Sequence, residues 1–334
     1  QRINMNNLKK IGLSALAGSL VAISANAAEL SVSGSVELTY TDTGGTVGNE
    51  VTGNSFGSNN DFTVSGSGDV GFGTISLVRT INATNTGWSS AYQTLDMGDM
   101  GVLSFDSTGG ALVGVQANDD KLPTAYEESW TGVSGSGISG VGSTNVIGYR
   151  NTFAGVSISA GYTNGEGSTA TTESASSGAG AHGSTRDIYL SMSPIDGLTI
   201  GAGQAVNSAT DTSTTSTDTV NTVAHVVYTM GPVSAGYRMG ESEDGTASAA
   251  SHSITAWSVA FNVNENFAIS YGEQENEQNA IGANVAVTED VTGISAAYTM
   301  GAASVRFNHS ESSNDNFVAA VDDETTEISL ALSF

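Results

Sequence analysis

The last eight residues of the chain limit its fold more than any other feature. Apolar side chains occupy every second position there, and the positions between them are polar or small: Ile328, Leu330, Leu332 and Phe334 alternate with Glu327, Ser329, Ala331 and Ser333. Because successive side chains of a strand point to opposite faces, this segment predicts a strand with one apolar face. A strand that faces lipid on one side and water on the other needs this pattern. The aromatic terminus favours an outer-membrane β-barrel.

The N-terminal segment has the composition of a cleaved secretion signal. Two lysines precede an apolar stretch, residues 11–23, and small residues follow it. The stretch is shorter than the roughly 20 residues that a spanning helix needs, and the small-x-small motif after it suits a signal peptidase. We predict cleavage between Ala27 and Ala28. Residues 1–27 would then be an extension with the signal, and residues 28–334 a single barrel domain; a retained N-terminal membrane anchor is the alternative.

Charge and cysteine content exclude several classes of protein. The chain has 9 basic and 34 acidic residues, and three of the basic ones lie in the predicted signal, which leaves six against 34 and a formal charge of about −28. Such a surface repels nucleic acid. Cysteine is absent, which excludes disulfides and thiolate chemistry. Only 13% of residues are charged, so the acidity does not by itself indicate disorder.

Short alternating segments recur along the rest of the chain, and none of them is a run of 18 apolar residues. Sixteen candidate strands lie near residues 29–42, 59–72, 74–83, 88–96, 100–108, 144–152, 155–164, 185–193, 198–207, 219–230, 232–241, 252–262, 266–275, 290–299, 302–312 and 325–334. Their connections are alternately short and long. This plan predicts an all-β, transmembrane antiparallel barrel of about 16 strands with short periplasmic turns and long external loops.

The parity of the strands assigns their two faces. In the first strand, Leu30 and Val32 share the apolar face, whereas Ser31 and Ser33 share the polar one. Aromatic residues near strand ends predict interfacial girdles, as in membrane barrels. These are Tyr40, Phe72, Tyr162, Tyr228, Tyr237, Tyr271 and Tyr298. A soluble two-sheet sandwich also fits alternating strands, but the signal, the aromatic terminus and the girdles favour lipid.

The signal, the strand plan, the central block at residues 145–162 and the ending at 327–334 together resemble the Gram-negative general porins over essentially the whole mature chain. This resemblance implies a homotrimer of water-filled barrels in the outer membrane, with Phe334 as a barrel-assembly signal. It also implies a third loop, residues 109–143, folded into the lumen. Residues 121–130 of this loop stand where the enterobacterial pattern has a Pro-Glu-Phe-Gly-Gly segment.

Passive transport needs no catalytic residue, because the width and lining charge of a pore decide what passes. We therefore predict a channel for small hydrophilic solutes and ions, neither an enzyme nor dependent on a cofactor. The candidate acidic residues of the constriction are Asp106, Asp119, Asp120, Glu127 and Glu128. The resemblance implies that basic residues of the barrel wall face such acids across the constriction. The candidates for that wall are Arg79, Arg150, Arg238 and Arg306.

The four arginines differ in parity. Arg150, Arg238 and Arg306 fall on the polar parity of their strands, whereas Arg79 shares parity with Ile75. An arginine that faces mid-membrane lipid costs about 2 to 4 kcal/mol, so a bulge would have to turn Arg79 inward. The alternative for each arginine is a salt bridge at the rim without a role in permeation.

The acidic balance predicts a preference for cations. Acidic loops around residues such as Asp211, Asp315 and Glu324 would either be solvated or bind Ca²⁺ or Mg²⁺ that bridges to lipopolysaccharide phosphates.

Two other functions remain open. A substrate-specific channel would use an aromatic track, for which Tyr126 and Trp130 are the candidates, although both would equally serve to pack the loop. A surface adhesin or coat protein would explain the polar loops but not the aromatic terminus. The glycine motif at residues 66–71 lies inside a strand without a following helix and is not a nucleotide site. The four histidines, His182, His225, His252 and His309, show no spacing of metal ligands.

Overall fold

The structure is a computed structural model that describes residues 29–46, 53–82, 88–135, 137–164, 183–208, 217–244, 250–279 and 286–334. The predicted signal and its cleavage site at Ala27 and Ala28 lie outside these residues, as do His182 and Asp211. The signal therefore stays a prediction.

The described residues form sixteen antiparallel strands that close into one barrel. Their bounds are β1 Glu29–Gly45, β2 Phe56–Asp69, β3 Thr74–Asn82, β4 Trp88–Asp96, β5 Val102–Asp106, β6 Val146–Phe153, β7 Val156–Thr163, β8 Thr185–Ile195, β9 Leu198–Asn207, β10 Thr219–Met230, β11 Val233–Asp244, β12 His252–Asn264, β13 Phe267–Gln278, β14 Val287–Met300, β15 Ala303–Ser313 and β16 Asp322–Ser333. Each strand pairs with its neighbour in sequence, and β1 pairs with β16. The predicted fold class and strand number are confirmed.

The outer face of the barrel is apolar and exposed. Leu30 and Val32 are 54% and 58% exposed, and Val32 lies opposite Val64 of β2 on the same face. The seven aromatic residues predicted for the girdles are exposed as well. A sandwich would bury one face of each sheet, so the soluble alternative is wrong. Among the described residues, no helix is long and apolar enough to cross a membrane.

The buried core of the molecule lies inside the barrel, between the wall and the third loop, which connects β5 to β6 at residues 107–145. Three apolar clusters join the loop to the wall. They comprise Val115, Ile138, Tyr189, Ala205, Val223 and Ile254; Trp130, Val133, Ala256 and Val291; and Val113, Val141 and Val146. Burial of these loop side chains holds the loop inside the lumen.

The two edges of the sheet meet at the seam between β1 and β16, which closes the barrel. The Phe334 amide donates to the Gly34 carbonyl at 3.0 Å, and the Gly34 amide donates to a Phe334 oxygen at 2.9 Å. The Phe334 ring covers Gly34 so closely that a Cβ on Gly34 would lie 2.5 Å from the ring. The aromatic terminus therefore packs across the seam and needs a glycine beneath it.

We expect Gly34→Val to destabilise the closed barrel by about 1 to 3 kcal/mol, because the new side chain displaces the Phe334 ring. Urea unfolding of the refolded barrel in lipid vesicles would measure the change. Gly66→Val is the matched control, since a Cβ on Gly66 meets its nearest atoms at 3.7 Å. Equal stability of the two variants would contradict this account of the seam.

Candidate pore constriction

The base of the third loop is fixed by two buried carboxylates. Asp106, at the end of β5, accepts hydrogen bonds from the amides of Gly109 at 2.5 Å and Ala111 at 2.8 Å. Asp187 of β8 accepts bonds from the amide of Val115 at 2.6 Å and from two further loop amides, Gln116 and Val141. Asp106 is only 1% exposed. It therefore holds the loop in place and does not line the pore.

Beyond its base, the loop runs along the wall formed by β11 to β16. Three serine hydroxyls of the wall bind its backbone: Ser258 donates to the Pro123 carbonyl, Ser270 accepts from the Ala125 amide, and Ser295 accepts from the Tyr126 amide. These contacts lie on three neighbouring strands, β12, β13 and β14. Each serine lies on the polar, lumen-facing side of its strand, so its hydroxyl reaches the loop.

Arg238 of β11 is buried beneath the loop, with no exposed surface. Its guanidinium donates to the Asp119 carbonyl and, at 2.7 Å, to the Gln274 side-chain oxygen. The guanidinium carbon lies 4.7 Å from the centre of the Trp130 ring. Trp130 is itself 6% exposed and packs with Val133 and its cluster. Arg238 thus binds the loop to the wall, and the packing interpretation of Trp130 fits this geometry.

The structure brings four predicted acids together on the loop. Asp119, Asp120 and Glu128 lie close enough to Arg238 to interact with its charge, and Thr131 Oγ1 lies within 3.4 Å of both Glu127 and Glu128. Burial raises the pKa of Glu128, and the charges of Asp120 and Glu127 raise it further. Four carboxylates, with the buried Arg238 and with Lys121 at 3.8 Å from Asp120, leave this part of the loop negative.

Arg306 of β15 faces the lumen but is already paired. Its guanidinium lies 3.3 Å from Glu37 of β1 and 5.0 Å from the centre of the Tyr126 ring. The Tyr126 hydroxyl donates to Glu327 of β16 at 2.8 Å. Two wall acids therefore hold this pair, Glu37 through Arg306 and Glu327 through Tyr126. Neither was among the sequence candidates, although both lie on the polar parity of their strands.

The loop's hydrogen bonds to the barrel lie mainly on β7, β8, β10–β14 and β16. Tyr126 also bonds Glu37 of β1, and the base of the loop bonds Ala91 of β4. Most of the arc of wall from β1 to β4 therefore lies across the lumen from the loop. Its lumen face is rich in hydroxyl groups. One row across the strands joins Ser33, Thr63, Thr80 and Ser90. A second row joins Ser67, Ser76 and Thr94 and continues to Ser104 of β5. Hydroxyls, rather than arginines, line this side of the lumen.

The two remaining candidate arginines lie apart from each other. Arg150 of β6 is exposed in the lumen. Arg79 of β3 pairs with Val64 on the outer parity, and its guanidinium donates to the backbone carbonyls of Val78 and Tyr92. The register shifts just after it, at Thr80. The four arginines therefore do not share one wall.

Asp187 and Glu289 hold the third loop but were not among the sequence candidates, whereas His225 was predicted as a wall or rim residue. Asp187 joins both ends of the loop, and Glu289 of β14 accepts from Ser134 of the loop at 2.8 Å. His225 stacks on Tyr189 with ring centres 5.8 Å apart, inside the wall. Their polar parity indicates that they face the lumen. Their contacts depend on the path of the third loop, and the loop sequence has no alternation of polar and apolar residues from which this path could be predicted. Within the described residues, no group of three histidine or acidic side chains could hold a metal ion.

Comparison with protein families gives one match. A family model described as Gram-negative porin matches residues 12–263, which is more than half of the chain. No functionally curated protein matches the sequence.

Solved structures with the same fold share little sequence with the chain. An anion-selective porin from Comamonas acidovorans is 14% identical, with a TM-score of 0.66 over 92% of this chain and all of that one. OmpT of Vibrio cholerae in its trimer form has the same identity, coverage and TM-score. OmpF of Salmonella typhi is 12% identical, with a TM-score of 0.63 over 91% of this chain and 97% of that one.

Proposed function

We propose, since this chain belongs to the family of Gram-negative porins, that it forms a cation-preferring pore for passive diffusion of small hydrophilic solutes and ions. The family and the barrel place it in the outer membrane as a multi-pass channel protein, and the members of such a family are channels rather than enzymes. The observation that carries the cation preference is the group of four carboxylates on the third loop.

The lining charges support this preference. Arg306 is paired with Glu37, and Arg238 is buried under the loop. Arg150 is exposed in the lumen, and Lys121 lies 3.8 Å from Asp120, so the four loop carboxylates still outnumber these two exposed cations. Carboxylates at a constriction raise the local concentration of cations. A structural neighbour is described as anion-selective, which means that the fold alone does not set the sign of the selectivity.

The other residues of the constriction favour the passage of many different polar solutes. Trp130 is buried and offers no ring surface to a sugar, and Tyr126 lies beneath Arg306 with its hydroxyl bound to Glu327. A hydroxyl wall binds water and polar solutes without selecting one of them. These features favour general diffusion over a substrate-specific channel.

The assembly and its surroundings are part of the proposal. We propose a homotrimer, since a structural neighbour is described in a trimer form. The outer face of β13 carries Glu273, Glu275 and Glu277 on the same parity as Tyr271. Divalent cations that join such acids to lipopolysaccharide phosphates stay a prediction, as does the absence of any required cofactor.

Planar bilayer recordings of the refolded mature chain under a KCl gradient test the proposal. We expect conductance steps in groups of three and a reversal potential on the cation side. A reversal potential on the anion side would contradict the cation preference. A well-folded protein without conductance would contradict the pore.

Acidification is expected to weaken the cation preference at a higher pH than it would if Glu128 were an ordinary glutamate. The pKa of Glu128 lies above its ordinary value of 4.5, mainly because of burial and next because of Asp120 and Glu127, so this carboxylate becomes neutral at a higher pH than an ordinary glutamate. Reversal potentials measured from pH 8 to pH 4 should begin to fall at a higher pH than an ordinary glutamate would give. Glu128→Gln should remove this early phase, and an identical pH profile for this variant would contradict the assignment.

A further inference from the structure

A cavity of about 650 Å³ opens into the lumen between the third loop and the short-turn end of the wall. Asn118 of the loop covers one side, and the wall supplies Asp96, Arg150, Ser157 and Ser191. This volume is in the range of sites that hold small molecules. The cavity lining does not include Asp120, Glu127 or Glu128; of the residues predicted for the constriction it includes Arg150.

Strand register explains how the cavity obtains its charges. Asp96 lies opposite Val102, and Val102 lies opposite Arg150, so one row across β4, β5 and β6 carries an acid and a base on the lumen face. Two strand spacings place their Cα atoms about 10 Å apart. The row continues to Ser159 of β7. Both charged groups thus face the same cavity at a fixed separation.

Arg150 is available for a ligand. Its side chain is exposed, and among the described residues its guanidinium has no hydrogen-bond or ion-pair partner. Asp106, whose charge acts on Arg150, already accepts bonds from the amides of Gly109 and Ala111. A free guanidinium binds a carboxylate through two parallel hydrogen bonds.

The hydroxyl and amide groups around the two charges favour a polar ligand. Ser157 and Ser191 lie opposite each other on β7 and β8, and Asn118 adds an amide from the loop. A lone anion would meet Arg150 but would leave Asp96 without a counter-charge. We propose that this cavity is a binding subsite for small zwitterions, amino acids or short peptides, whose carboxylate binds Arg150 and whose ammonium group binds Asp96.

The subsite deepens the proposed pore, because it lies on the route through the lumen and would retain such solutes during passage. Its test uses the full mature protein in detergent, with diglycine as the probe and isothermal titration calorimetry as the readout. We expect saturable binding that weakens at least tenfold in Arg150→Gln and in Asp96→Asn. Acetate and ethylamine, which each carry one of the two charges, should bind at least tenfold more weakly than diglycine.

Arg186→Gln is the matched control, because Arg186 is exposed on β8 opposite Tyr162, on the outer parity. It should bind diglycine as the unaltered protein does. Unchanged binding in Arg150→Gln would overturn the subsite, and equal affinity for acetate would overturn its zwitterion preference. Retained SDS-resistant folding shows that a loss of binding is not a loss of structure. Calorimetric binding by a protein without bilayer conductance would support the subsite while contradicting the pore.

Discussion

Neutralising the loop acids through Asp120→Asn, Glu127→Gln and Glu128→Gln together is expected to lower the cation-to-anion permeability ratio by up to about tenfold. In water a carboxylate acts on an ion about 8 Å away with about 0.5 kcal/mol, so three of them supply about 1.5 kcal/mol before screening by salt. The four-acid group is the largest concentration of charge on the loop. Reversal potentials under a KCl gradient would measure the change.

The control for this variant has the same charge change outside the pore. Glu273→Gln, Glu275→Gln and Glu277→Gln remove three acids from the outer face of β13, where they do not contact the ions in the lumen. This triple variant should keep the selectivity of the unaltered channel. If the two triple variants shifted the reversal potential equally, net charge and not the constriction would set the selectivity.

Asp187→Ala is expected to release the third loop. The substitution leaves two buried loop amides, those of Val115 and Val141, and the half-buried amide of Gln116 without their acceptor. Each buried donor without a partner costs about 1 to 3 kcal/mol, and the loop relieves this cost by moving away from the wall. Single-channel recordings should show larger and noisier currents, while the barrel keeps its folded mobility in SDS gels.

Asp69→Ala is the matched control for this anchor. Asp69 also accepts a backbone bond, from the Gly71 amide at 2.6 Å, but in an exposed turn where water can replace it. Its currents should match those of the unaltered channel. Quiet, unaltered currents in Asp187→Ala would show that the apolar clusters alone hold the loop.

The strands could be predicted from the sequence because a membrane barrel imposes a local rule on each of them. Alternation with period two fixes both the strand and its faces, so segments such as residues 198–207 and 219–230 were predicted with the bounds that the structure has. The same parity placed Arg150 on the polar face, which lines the lumen.

The contacts inside the lumen could not be predicted in this way. Arg238 and Arg150 share the polar parity, yet one is buried under Trp130 and the other is exposed. The difference depends on where the third loop lies, and the loop is held by contacts as distant in sequence as Tyr126 and Glu327. Likewise, Glu37 meets Arg306 only after the first and last strands have paired. Pairings of this kind leave no local pattern.

The seam at Gly34 and Phe334 has a consequence for biogenesis. Since β1 pairs with β16 and Phe334 bonds Gly34, the barrel cannot close until the chain has been synthesised and exported as far as these residues. Until then two unpaired edges stay open, and joining them brings together segments about 300 residues apart, which makes the step slow. A chain that is interrupted during export therefore leaves an open sheet for quality-control proteases and not a smaller working pore.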